Sequence, residues 1–189
     1  MSEARRRQVL WVIFWIGTVL IAIVAQATTL VRLPFPELVQ FSDAIVRARC
    51  VDSGAVLENG EIWTDTQFLV LTAEKGAIGG QIVVRQPGGT YQHLQSHVEG
   101  TPKFQKGEEL YLFLDRAKAE HYALTGWSQG TFRIRKDLRT GMEKVTQDSA
   151  ELPVFDPQSH QFQKSGVREM QLALFVEQLR RTIHGEAAP

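Results

Sequence analysis

Ser42-Asp43-Ala44-Ile45-Val46-Arg47-Ala48-Arg49-Cys50 is the stretch that decides the fold class. Ala44, Val46, Ala48 and Cys50 fall on one face of its alternation, with Ile45, Arg47 and Arg49 on the other. Successive strand residues point to opposite faces, so the first set is expected inside and both arginines outside. Cys50, the single cysteine, then reads as a small buried hydrophobe. A reactive thiol would need an exposed, electropositive setting.

Downstream, Asn59-Gly60 is a two-residue hairpin signal, followed by a long strand over 62–73 that carries Ile62, Thr64, Thr66, Phe68 and Val70 on one face. Lys75-Gly76 and Gly79-Gly80 end it. A third strand is expected over 81–86 (QIVVRQ), stopped by Pro87-Gly88-Gly89, and a short fourth over 91–98. Residues 110–114 (LYLFL) form a continuous apolar run, as in a strand covered on both sides. Residues 122–135 predict a strand bulged at Gly126 and Gly130, and 142–146 a last, exposed one. A linker with Pro153 and Pro157 leads to an amphipathic helix over 167–184, with Val167, Met170, Leu174, Phe175, Val176, Leu179 and Ile183 on its stripe. The expectation is a mainly β protein, a small antiparallel OB-like barrel over 28–150, with a linker and C-terminal helix over 151–189.

Upstream, Arg5-Arg6-Arg7 precedes an apolar run of 17 residues, 9–25, and then Ala25-Gln26-Ala27. Positive flank, apolar stretch and small-residue site predict a signal peptide over 1–27, with Thr28 as the first mature residue. The competing reading is an uncleaved anchor, since roughly 17–25 residues span a bilayer. Either way the remainder is expected to be exported: periplasmic, secreted, or held at the outer face of the inner membrane. Contact with membrane is expected only if the segment stays uncleaved. Cleavage leaves 18 basic against 20 acidic residues, a balance that disfavours a nucleic-acid partner. One cysteine forms no internal disulfide, so packing alone must hold the fold.

Gly126-Trp127-Ser128-Gln129-Gly130 matches G-x-S-x-G, but a period-two segment follows where a hydrolase would place a helix. On a helix His93 and His97 would stand together on one face, as a metal site needs; on a strand they stand about 13 Å apart at ~3.3 Å per residue, too far for one ion. Arg133 and Arg135 belong to a basic cluster with Lys136, Arg139 and Lys144, read first as charges that protect a sheet edge and alternatively as a contact for envelope glycan. No catalytic residue, metal or cofactor is assigned, and the chain is expected to be non-enzymatic.

Two resemblances follow from these segments. ATTLVRL at 27–33, the SDAIVRAR strand, VRQPGG at 84–89, GEELYLFL at 107–114 and GWSQGTF at 126–132 resemble an uncharacterised group of exported bacterial proteins, and imply no activity. The amino-terminal half, 28–76, resembles the netrin-like OB barrel of the tissue inhibitors of metalloproteinases. With Thr28 on that family's first residue, Ser42-Asp43 and Ile45-Val46-Arg47-Ala48-Arg49 fall on its first barrel strand without a gap. Glu74-Lys75-Gly76 and the 107–112 segment fit later motifs. The resemblance implies an exported zinc metalloprotease as partner, with the amine and carbonyl of Thr28 ligating its zinc and Thr29 entering its specificity pocket. Thr28 and Leu30 stand where that family has disulfide-bonded cysteines, so Thr28, Thr29 and Leu30 are the candidate contact residues.

Overall fold

The computed structural model describes residues 30–116 and 121–185; the 1–27 segment, Thr28 and Thr29 lie outside them. In chain order the elements are α1 (Phe35–Phe41), β1 (Ala44–Glu58), β2 (Glu61–Lys75), β3 (Gln81–Pro87), β4 (Gly89–Tyr91), β5 (Leu94–Ser96), β6 (Glu109–Arg116), β7 (His121–Leu124), β8 (Thr131–Lys136), β9 (Glu143–Gln147), β10 (Pro153–Asp156), β11 (Gln161–Lys164), β12 (Met170–Gln171) and α2 (Leu172–Ile183). Among the described residues no helix is long and apolar enough to cross a membrane.

Asn59 and Gly60 turn β1 into β2 with φ of 52° and 83°, the left-handed pair that a tight two-residue hairpin requires. β3 continues antiparallel to β2, and β1 turns its other edge to β6. β7 lies antiparallel to β6 and parallel to β3, so β1-β2-β3-β7-β6 closes into a ring of five strands. That parallel contact departs from the all-antiparallel expectation. β8, β9 and β12 leave the ring as an arm, begun where β8 pairs with β6 beyond β7.

The ring is filled as the alternation predicts: Val46, Ala48, Phe68, Val84, Leu110 and Leu112 are fully buried, and Cys50 is 2% exposed. The opposite face corrects one expectation. Ile45, placed outside with the arginines, is fully buried in a second core with Leu38, Phe113, Phe132, Phe175 and Leu179. α1 and α2 form its outer layer. Phe35 stands edge-on to Phe113, Phe132 and Phe175 with ring centroids 6.0–6.1 Å apart, each pair adding about 0.5–1.5 kcal/mol beyond simple burial.

Other differences are local. The expected strand over 91–98 is the β4–β5 hairpin plus a loop. The expected bulged strand over 122–135 is β7 and β8 separated by a 3-10 turn at Trp127–Gly130. This turn needs Gly130, because a Cβ there would stand 2.2 Å from the Thr125 carbonyl oxygen. β9 is no exposed final strand, since Val145 is fully buried and β12 covers its edge. The proline-containing linker carries the β10–β11 hairpin. α2 begins at Leu172 because Met170 and Gln171 are committed to β12, and Leu174 points outward, 54% exposed.

Candidate functional site

The chain entering the fold is held by both edges of its backbone. On one side the Arg32 N–H donates to Phe155 O and the Phe155 N–H to Leu30 O, each at 2.8 Å, so 30–32 run parallel to β10. On the other side the Gln129 amide acts as a substitute strand: its Nε2 donates to Val31 O and its Oε1 accepts from the Leu33 N–H, both at 2.8 Å. Arg32 adds an ion pair to Asp156 at 2.9 Å. A side-chain amide can do this because it carries one acceptor and two donors in a plane, like the peptide it faces. Gln129 is itself 3% exposed, and its carbonyl accepts from Gln147 Nε2 at 2.6 Å. Gln147 repeats the device, accepting from the Val167 N–H ahead of β12.

An apolar groove of about 860 Å³ opens beside this segment, with Leu30, Leu33, Leu124, Trp127, Pro153 and Phe162 in its walls. Val31 and Phe162 are 47% and 60% exposed, large apolar side chains left to solvent at its border. Two carboxylates, Glu99 and Asp115, also face the groove. Burial pushes Asp115 above the usual carboxylate range, opposed by the Thr125 hydroxyl that donates to it at 2.5 Å.

The candidate residues do not converge. Leu30 lies at the groove; Arg133 and Arg135 lie on β8, in a separate depression where Asp148, Glu151 and Glu169 also face the cations. Arg133 is not available to an outside anion. Its guanidinium donates to Asp148 at 2.6 and 2.8 Å, to both oxygens of Glu108 at 2.8 and 2.9 Å, and to Lys103 O. Burial opposes its charge, but the bonds to Asp148 and Glu108 raise its pKa above the ordinary arginine value. The reading of Arg133 as an edge charge is therefore replaced by an internal tie, because β8 is flanked by β6 and β9. Arg135 stays exposed and forms no ion pair with a described residue.

Arg47 and Arg49 share a neighbouring carboxylate. Glu109 binds Arg47 through one oxygen at 2.7 Å and Arg49 through the other at 2.5 Å. The Arg49 bond, then that of Arg47, holds Glu109 below the usual glutamate range against the effect of burial. Cys50 sits inside the ring, and burial first, then the charges of Glu108 and Asp52, push its thiol up.

Ser128, the serine of the hydrolase-like motif, is 3% exposed with its Oγ unpaired among the described residues, on a 3-10 turn between strands. The next residue, Gln129, is the one with a structural task. Reading the motif for nucleophiles passes over it, and its partners, Leu33 N–H and Val31 O, are backbone groups that no residue pattern marks. His97 Nε2 stands 3.1 Å from Glu99, and no group of three metal-ligating side chains occurs among the described residues.

No known family, curated protein or solved structure matches the chain.

Proposed function

We propose that this protein is an exported, non-enzymatic interaction module that grips another protein with its amino-terminal edge. The observation that carries the reading is the doubly held 30–33 segment beside an exposed apolar groove. Large apolar surface left open on a folded chain is the usual mark of a contact site. A segment fixed before binding also loses less freedom when it binds.

The order of the five-strand ring supports the finer reading of an OB-like, netrin-like barrel. On that reading the partner is an exported zinc metalloprotease. Disulfides pin the start of the chain in the inhibitors it resembles; here the Gln129 amide and β10 would serve instead. A chain cut after Ala27 begins two residues before the held segment. An α-amine has a pKa of about 7.7–8.0, so it can lose its proton and ligate near neutral pH. An open position on a catalytic zinc accepts such a ligand.

The test has two stages. Amino-terminal sequencing of the protein recovered from the exporting cell is expected to begin at Thr28. That protein is then titrated against purified zinc endoproteases, beside a sample acetylated at its α-amine. Inhibition lost on acetylation supports the reading. An intact Met1, a start elsewhere, or equal behaviour of the two samples defeats it.

A further inference from the structure

The inner surface of the ring changes character along its length. Around Phe68, Val84 and Leu112 it is apolar, but the inward positions at the β4–β5 end are Ser53, Thr64, Thr66 and Gln86. Ser53 reaches this face through an irregularity. The pairing slips between Cys50 and Asp52, so Cys50 opposes Phe68 and Ser53 opposes Thr66, with Val51 as the extra residue. Without that slip the plain alternation would carry Asp52 inward.

These four side chains line a cavity of about 290 Å³ at the mouth of the ring, closed by the β4–β5 hairpin and the loop that brings Phe104 across it. The size is at the lower end of the roughly 300–1,000 Å³ of small-molecule sites, and barrel mouths are a common place for them. Polar groups on an inner face weaken a core unless they are hydrogen-bonded. Three have partners here: Thr64 Oγ1 donates to Gly88 O at 2.7 Å, and Ser53 Oγ and Thr66 Oγ1 stand 2.9 Å apart. One hydroxyl of that last pair donates to the other, which leaves the second hydrogen to offer. Gln86 is 5% exposed, lines the cavity, and its amide makes no hydrogen bond to a described residue.

The lining therefore offers an amide and several hydroxyls on one side and the Phe104 ring, edge-on to Phe68 at 5.0 Å, on another. Among the described residues it includes no carboxylate, and Lys103 stands at the rim. Hydroxyl and amide groups beside an aromatic ring match a molecule with hydroxyls around its edge and C–H groups on its face. We infer that the polar mouth of the ring is a binding site for a single sugar ring, with Lys103 placed to meet a carboxylate on it. The site is separate from the groove at 30–33 and from Arg135, and it stands without the protease reading; Arg133 backs its wall, donating to Lys103 O at 2.8 Å and standing 5.9 Å from the centre of the Phe104 ring.

Saturation-transfer NMR on the full chain, in a detergent without a sugar head group, tests this with glucose, glucuronate and cyclohexanecarboxylate. Both sugars are expected to bind and the hydroxyl-free ring to fail. Gln86→Leu removes the unpartnered amide and should weaken both sugars at least about tenfold, the worth of about 1.4 kcal/mol. Thr66→Val, which keeps the shape, decides the matter if Gln86→Leu does not fold. Lys103→Ala, on the exposed rim, should weaken glucuronate alone. Failure of both sugars, equal binding of cyclohexanecarboxylate, or unchanged affinity in the folded cavity variants overturns the inference and leaves a cavity filled by water.

Discussion

Replacing Gln129 by Met keeps the bulk of the side chain and removes both hydrogen bonds that hold the 30–33 segment on that side. Each such bond contributes about 0.5–1.5 kcal/mol, centred near 1, so about 2 kcal/mol of local stability should go with the pair. At about 1.4 kcal/mol per factor of ten, the Leu33 amide should exchange with deuterium about 30-fold faster. Arg32 and Phe155, joined to the same segment through β10, should follow it. Amides of the ring, such as Leu112, should keep their rates, because local opening does not pass through global unfolding. Hydrogen exchange read residue by residue by NMR gives the result. An unchanged Leu33 would show that β10 alone retains the segment; equal acceleration throughout would make Gln129 an ordinary core residue. Either outcome refutes the clamp.

Glu109→Gln should cost about 1 kcal/mol near neutral pH, a modest figure because the carboxylate still meets water. Its folded pKa lies below the unfolded value, so the stabilisation is present above about 4.5 and is lost as pH falls through the lower folded value; chemical denaturation of the two proteins should converge in acid. Phe175→Ala empties the centre of the aromatic cluster against α2 and should remove about 3–5 kcal/mol, read from urea unfolding. Cys50 should react with a thiol reagent far more slowly in native buffer than in denaturant, and rapid labelling of the folded protein would contradict its place inside the ring.

Much of the ring was legible because its signals are local. Alternation placed Val46, Ala48 and Cys50 inside, Asn59-Gly60 marked the first hairpin, and the LYLFL run marked a strand buried on both sides. Ile45 was misplaced because its cover comes from α1 and α2, and Phe175 is 130 residues further along the chain. The same limit hid the role of Arg133. Its charge was visible, but Glu108 becomes its neighbour only when β6 and β8 pair, and Asp148 only when β8 and β9 do. Gln129 was less legible still, since what it contacts is backbone, and backbone carries no residue-specific signal. The mouth of the ring was half visible: Thr64 and Thr66 lay on the expected face of β2, whereas the slip that brings Ser53 opposite Thr66 follows from no repeating pattern.

β6 has both faces covered and both edges paired, to β1 on one side and to β7 and β8 on the other. Its tie to β1 joins Arg47 to Glu109 across 62 positions, while β1 and β2 meet through an adjacent turn. Local contacts form first, since distant ones must bear the entropy of closing a long loop. The outer edge of β1 therefore waits unpaired, open to wrong pairing with another copy until LYLFL arrives. Translation order sharpens the delay, because a ribosome emits that central rib only after the hairpin it must seal.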